Sequence, residues 1–407
     1  MNNRVAITQI GLCTPLGQTP EQVLARLIVG DTSAMQTSDT LLFGKSTLVA
    51  PVTEPLPTIP AALAQFDCRN NQLLLAAALQ IRDAVEQAKS DFGADRIGVV
   101  LGTSTSGISK GEAALAYRNQ HGHFPADYHY FQQELGSTSD FLRQLFALQG
   151  PCYTISTACS SSAKVFASAK RLLEAKLCDM VIVGGIDSLC QLTVNGFHAL
   201  ESVSKGHCNP FSANRDGINI GEGAALFTLT LAENETLGPT QANVLLAGIG
   251  ESSDAHHMSA PHPEGAGAIA AMQAALDDAQ ISAQQIDYIN LHGTATPKND
   301  AMESRAVLSV FGEAPPPASS TKPLVGHTLG AAGAIEAAFC YLLLSPHNHH
   351  LALPPHRYDG RPDPQDPSIA LVAPKQCAEH GKLNYVMSNS FAFGGSNASL
   401  IFCRKGA

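Results

Sequence analysis

The chain carries little charge: Asp, Glu, Lys and Arg make up 15% of its 407 residues, against 44% hydrophobic residues. A sequence so poor in charge must place much of its length inside a core or at an interface, and an oligomer is expected. Basic excess is absent too. The formal net charge is −10, which argues against a nucleic-acid partner while leaving room for a local basic patch that meets an acidic protein. None of the ten cysteines falls in a C-x-x-C pair. Their scatter excludes a zinc ribbon or a disulfide framework and reads as small core residues in a reducing compartment. No apolar run approaches the ~18 residues needed to cross a bilayer. The N-terminus, MNNRVAITQIGLCTPLG, has no basic stretch leading an apolar one and reads as a first strand. A soluble, cytoplasmic protein with no membrane insertion is expected.

What is present is self-similarity. RVAITQIGLCTPLG, an apolar strand ending in glycine and followed by a helical stretch Glu21–Ile28, recurs as NVLLAGIGESSDAHH from Asn243. A strand over Ile97–Leu101 running into GTSTSG pairs with IDYINLHGTATP from Ile286. TISTACSSSAKVFASAK pairs with SSTKPLVGHTLGAAGAIEAAF. The pieces keep the same order, as expected of a duplicated α/β unit with its active residues where the halves meet. The expected division is an N-terminal half, 1–235, carrying a cysteine motif, and a C-terminal half, 236–407, carrying two histidine motifs. Glu233–Gln241 reads as the connector, Gly312–Pro323 as a loop delivering Lys322, and Ser345–Pro367 as a long proline-rich surface segment.

Cys159 sits where the β-branched approach Tyr153-Thr154-Ile155 turns through small residues into an amphipathic helix. A thiol at that elbow lies at a helix N-terminus, where backbone N–H groups favour thiolate. An isolated cysteine there would read as a packed core residue; two histidine motifs downstream change the reading. His292, in NLHGTATPKND, ends a buried strand with two hydroxyls close behind. His327, in LVGHTLGAAGAIEAA, begins a glycine- and alanine-rich helix whose dipole disfavours the imidazolium, so a neutral ring is expected. A neutral imidazole can donate to a developing oxyanion.

This set resembles the β-ketoacyl-acyl-carrier-protein synthases of the decarboxylating, elongating type, through TACSSSA, HGTAT, K-x-x-x-x-H in TKPLVGHTLGAAGAIEA, NSFAFGGSNAS and RDGINIGEGAA. The resemblance implies a thiolase-like fold, with two similar βα halves forming a five-layer αβαβα core, and dimers. By the same resemblance Cys159 takes the acyl chain, while His292 and His327 bind the malonyl thioester carbonyl and assist decarboxylation. The backbone N–H groups of Cys159 and Phe393 form the oxyanion hole. Lys322 and Glu336 form an ordering ion pair, and Thr294 and Thr296 bond the phosphopantetheine arm. Asp300 and Asp254 are structural acids, and Phe391 and Phe393 border the acyl pocket, with Phe393 as a gate. No cofactor is implied beyond the phosphopantetheine of an acyl carrier protein. The carrier is the expected partner, together with a second copy or a related chain-length subunit.

Two departures stand out. Ala392 replaces a glycine in the family's GFGG loop, and its Cβ is expected to restrict the gate. Thr103, Ser104, Thr105 and Ser106 lie where the family lines its acyl pocket, which points to a more polar pocket, with Thr105 as a substrate contact, and to a polyene or polyketide pathway; otherwise these hydroxyls bond backbone. His347, His349 and His350 lack a scaffold for a metal. His256, His257 and His262 shape a loop near the entrance. GIGE and GEGAA lack the strand–glycine–helix context of a phosphate cradle. Arg69, Arg143 and Lys205 are candidates for carrier recognition. Two alternatives stay open: a ketosynthase-like subunit that sets chain length without condensing, and a non-decarboxylating thiolase or priming synthase.

Overall fold

A computed structural model of the chain describes residues 4–232 and 242–407; the expected connector Glu233–Gln241, and with it the 235/236 division, lies outside the described residues. The N-terminal part opens with β1 (Val5–Cys13), α1 (Pro20–Val29), the short strands β2 (Gln36–Ser38) and β3 (Thr47–Ala50), and the long helix α2 (Arg69–Phe92). It continues with β4 (Ile97–Gly102), α3 (Ile108–His121), α4 (Ser137–Leu145), β5 (Cys152–Ile155) and α5 (Ser161–Glu174). It closes with β6 (Met180–Asp187), α6 (Gln191–Ala199), β7 (Ile220–Gly221) and β8 (Gly223–Leu231). The C-terminal part runs β9 (Val244–Ser253), α7 (Ala266–Ala279), β10 (Tyr288–Asn290), α8 (Pro297–Phe311) and β11 (Ala318–Ser319). The one-turn α9 (Lys322–Val325), α10 (Ala332–Leu344), β12 (Tyr385–Phe391) and β13 (Ser396–Arg404) complete it.

Ten strands form one continuous ladder in the order β11-β10-β12-β13-β9-β1-β8-β6-β4-β5. Counted outward from the antiparallel β1–β9 seam, the two leaves match strand for strand. β1–β8 and β9–β13 are antiparallel, as are β8–β6 and β13–β12, whereas β6–β4, β4–β5, β12–β10 and β10–β11 are parallel. Each sequence pair read as a repeat occupies equivalent places: β1 with β9, β4 with β10, β5 with β11.

Three apolar clusters show how the layers stack. On the outer face of the first leaf, Leu74, Ile81 and Val85 of α2 and Phe141 of α4 pack on Val99, Leu101 and Ile182. On the outer face of the second, Met272 and Leu276 of α7 and Met302 and Val307 of α8 pack on Ile289, Met387 and Ile401. Between the leaves α5 and α10 are sandwiched, with Val100 and Val183 on one side and Tyr288 and Val386 on the other. Val99 and Val100 therefore face opposite layers, as the period of a strand requires. The result is the expected five-layer αβαβα arrangement. Strands covered on both faces read as continuous apolar runs, and α10 is apolar on every side except at Glu336 because it lies in the middle layer. Phe166 of α5 reaches both leaves, its ring centroid 5.1 Å from Phe227 and 6.0 Å from Phe402.

The two middle helices approach closely. A Cβ on Gly333 of α10 would stand 2.7 Å from the Ala163 nitrogen of α5, so only glycine permits this packing. Ser162 Oγ accepts from the Ala334 N–H at 2.9 Å across the same contact. The N-terminal ends of α5 and α10 are thereby brought side by side. The segment expected to lie on the surface, Ser345–Pro367, instead buries Leu353–His356.

Candidate active site

The elbow between β5 and α5 carries Cys159. Ala158 just before it adopts a left-handed backbone, φ 52°, a strained choice for a residue with a Cβ and typical of a site where one side chain must be aimed. The His327 side is built by long-range backbone pairing. The His327 N–H donates to the Asn219 carbonyl at 2.6 Å, and the Gly221 N–H donates to the His327 carbonyl at 3.0 Å, so the RDGINIGEGAA block serves as the bracket for that histidine. His327 follows the end of α9 and precedes α10 by five residues.

His292 follows β10 in a clamped turn. The His292 N–H donates to Glu303 Oε1 at 2.8 Å and the Gly293 N–H to Glu303 Oε2 at 2.7 Å. Its carbonyl accepts from Lys322 Nζ. The same ammonium donates to Glu336 Oε1 at 2.6 Å and stands 3.5 Å from His292 Nδ1. With its three protons directed at these acceptors, Lys322 fixes His292 as the tautomer with hydrogen on Nε2, a donor toward the cavity.

Cys159 Sγ and ring nitrogens of His292 and His327 all lie within 4.8 Å of one another. Cys159 Sγ is 3.0 Å from His327 Nε2, and the two imidazole planes cross at 84°. A thiolate and two imidazoles are donors that zinc accepts, but Lys322 at His292 Nδ1 keeps a proton where that ligand would need a lone pair. Burial, first, and the Lys322 charge hold both histidines well below the usual imidazole range, with His327 adding to the shift at His292. The neutral His327 ring expected from sequence is favoured here by desolvation and the lysine charge. The expected thiolate is not the resting form: burial pushes the Cys159 thiol up to about 11, opposed by Lys322 and by the backbone N–H groups of Phe393 and Cys159. Those two N–H groups both act on the sulfur.

The three side chains form the floor of a cavity of about 290 Å³, whose wall includes Thr294, Thr296, Phe391 and Phe393. The two threonine hydroxyls are 2.9 Å apart. The Phe391 ring centroid is 6.2 Å from that of His292, and the Phe393 ring meets Phe197 of α6 at 5.6 Å. Ala392 also faces the cavity but has φ −97° and ψ 155°, extended backbone open to any residue, so its Cβ imposes no strain. The left-handed positions are Gly394 and Gly395, φ 83° and 76°. Asp254 latches this loop: its N–H donates to the Gly395 carbonyl at 2.8 Å, and its Oδ1 accepts from Asn397 Nδ2 at 2.7 Å.

Thr105 does not join the cavity. Its hydroxyl and N–H both donate to Asp187 Oδ1 at 2.7 Å, and Thr103 Oγ1 donates to the same oxygen at 2.7 Å. The two threonine hydroxyls cap a buried carboxylate, while those of Ser104 and Ser106 donate to the Ala158 and Glu134 carbonyls. Asp300 is structural, accepting from the Phe211 N–H at 2.8 Å and the Ala295 N–H at 3.2 Å. Arg69 is spent on buried Glu222 and Arg143 on Asp140, whereas Lys205 is exposed. Among the described residues His347 meets Glu21 and gathers no metal-ligand cluster.

Four supporting residues escaped sequence reading. Glu303 holds the His292 turn. Asp187 also accepts from the Ala331 N–H at 3.1 Å, joining the β4 loop to the approach to α10. Ser162 bonds α10, and His356 accepts from the Ser320 N–H at 3.2 Å while donating to the Pro210 carbonyl at 2.9 Å. Only the buried polar face of α8, Asn299, Asp300 and Glu303 at helical spacing, left a sequence signal.

Residues 2–234 match the model for the β-ketoacyl synthase N-terminal domain, and residues 244–356 that for its C-terminal domain. The chain belongs to the β-ketoacyl synthase family. It is an acyltransferase of thiolase-like fold. It is 31% identical to 3-oxoacyl-[acyl-carrier-protein] synthase 2 of Rhizobium meliloti over 98% of this chain and 99% of the relative. A chain of the complex between a ketosynthase and its chain length factor from Xenorhabdus doucetiae is 45% identical with a TM-score of 0.91, covering 99% of this chain and 98% of that chain. A β-ketoacyl synthase from Burkholderia phymatum is 30% identical with a TM-score of 0.87, covering 99% and 100% of the two chains.

Proposed function

We propose that this chain is a condensing 3-oxoacyl-acyl-carrier-protein synthase, the active member of a pair with a chain-length subunit in polyene or polyketide elongation. The convergence of Cys159, His292 and His327 within 4.8 Å at a cavity floor carries the reading. In the first step Cys159 Sγ attacks the carrier thioester carbonyl, and its proton passes to the phosphopantetheine sulfur as that carbon–sulfur bond breaks. Nothing is oxidised or reduced, and no cofactor beyond the carrier's arm is used. In the second, His292 and His327 donate to the malonyl thioester oxygen, the carboxylate departs as carbon dioxide, and the electron pair left on the α-carbon attacks the acyl-Cys159 carbonyl. The Cys159 and Phe393 N–H groups hold the oxyanion until Cys159 leaves as thiolate, which takes up a proton from solvent.

Support for the paired form comes from the Xenorhabdus ketosynthase solved with its chain length factor, and support for this chain as the active member from its intact nucleophile and both imidazoles. The test is incubation with acyl- and malonyl-carrier protein. Acyl mass on the Cys159 peptide, carbon dioxide release and a product two carbons longer are expected, all lost in Cys159→Ala. A passive subunit would carry no acyl mass on its Cys159 peptide, and the carbon dioxide and product made by its active partner would survive Cys159→Ala.

A further inference from the structure

Residues 292, 294, 296 and 298 all line the one cavity, and they climb it in order. His292 is 1% exposed and Thr294 6%, Thr296 is half-buried and Lys298 is exposed. Pro297 and Asn299 line the same cavity, and the left-handed Ala295, φ 63°, and Gly293, φ 36°, bend the segment along its wall. From floor to rim the wall therefore presents an imidazole, two hydroxyls and an ammonium. Among the described residues Lys298 is the only lysine or arginine lining the cavity, makes no ion pair, and faces one carboxylate among the lining residues, Glu201. Lys298 also stands in the first turn of the 15-residue α8, whose end adds partial positive charge.

We propose that Lys298 is a binding residue for the phosphodiester of a thioester-bearing arm, setting its depth so that the thioester reaches the imidazoles. The proposal rests on the condensing-enzyme reading for the identity of the arm. The order of groups is what decides it. A phosphopantetheine arm has its thioester at one end, two amides along its length and its phosphate at the other, matching imidazole, hydroxyls and ammonium in sequence. A malonyl carboxylate must lie on the floor beside the histidines for its carbon dioxide to leave there, so a rim cation is misplaced for it.

The experiment reads binding without condensation. Phosphopantetheine and pantetheine, both capped as S-methyl thioethers so that they do not consume the reagent and differing only by the phosphate, are titrated as protectants of Cys159 against iodoacetamide, scored on the Cys159 peptide. In the native protein phosphopantetheine is expected to protect at roughly five-fold lower concentration, the size a rim charge contact carries, and added salt should narrow that gap. Lys298→Ala should close it by weakening phosphopantetheine alone, and Lys298→Arg should keep it. An equal gap in Lys298→Ala, or no gap in the native protein, overturns the assignment. Absence of condensation with carrier thioesters would sink the functional reading while leaving this phosphate test standing.

Discussion

His327 Nε2 lies 3.0 Å from Cys159 Sγ, although 168 residues separate them in the chain. The pair rests as thiol and neutral imidazole, because burial disfavours both charged forms. With the thiol held up to about 11, alkylation of Cys159 by iodoacetamide is expected to speed up about tenfold per pH unit from pH 7 to 10, since only thiolate reacts. Exposed Cys377 reports reagent quality in the same digest. A rate already flat above pH 8 would show a resting thiolate instead.

The two histidines face different steps unequally. His327→Ala removes a donor to the malonyl oxygen, and its carbon dioxide release should fall by about 10²–10³. Acyl loading of Cys159 should fall by much less, because proton transfer between two thiols has little driving force to lose. Separate assays of carbon dioxide and of acyl mass on Cys159 decide; a larger loss in loading would reassign the residue.

Lys322 and Glu336 are 1% and 2% exposed. Breaking such a pair on one side leaves an uncompensated charge, so Lys322→Met or Glu336→Leu alone should cost about 3–5 kcal/mol. The double variant should recover most of that stability. It should not recover decarboxylation, since His292 loses the ammonium that fixes its tautomer. Urea midpoints beside carbon dioxide release separate the two roles.

Glu303 titrates against the fold. Burial pushes its carboxyl from 4.5 up to about 7, more than the Gly293 and His292 N–H groups draw it down. A raised folded value means the protonated form is favoured, so this contribution to stability is full below about pH 4.5 and is lost as pH rises through about 7. The difference in urea midpoint between the native protein and Glu303→Gln should therefore shrink from pH 4.5 to 7 and stay level above. A constant difference would place the carboxyl at its ordinary value.

Much of the architecture was legible because the repeat was written in strand and elbow patterns, and each repeated pair occupies equivalent places in the ladder. The site's three reactive side chains were legible for the same reason, each marked by small residues at an elbow. Thr105 was misread, since its position along the chain said nothing of Asp187, 82 residues away, which takes its hydroxyl. Arg69 looked free until Glu222, 153 residues on, was seen beside it. Ala392 looked restrictive, but its backbone is extended and the left-handed burden falls on Gly394 and Gly395.

The amino-acid order alone determined which elements form, that they form twice, and which sulfur and nitrogen atoms can react, because periodicity, small-residue elbows and side-chain chemistry are local properties. Protonation states, the carboxylates that hold the histidine turn and the β4 loop, and the 3.0 Å meeting of sulfur and imidazole were decided by the tertiary structure. Desolvation and ion pairing depend on what surrounds a group in space, and that is set only when the two middle helices close on each other.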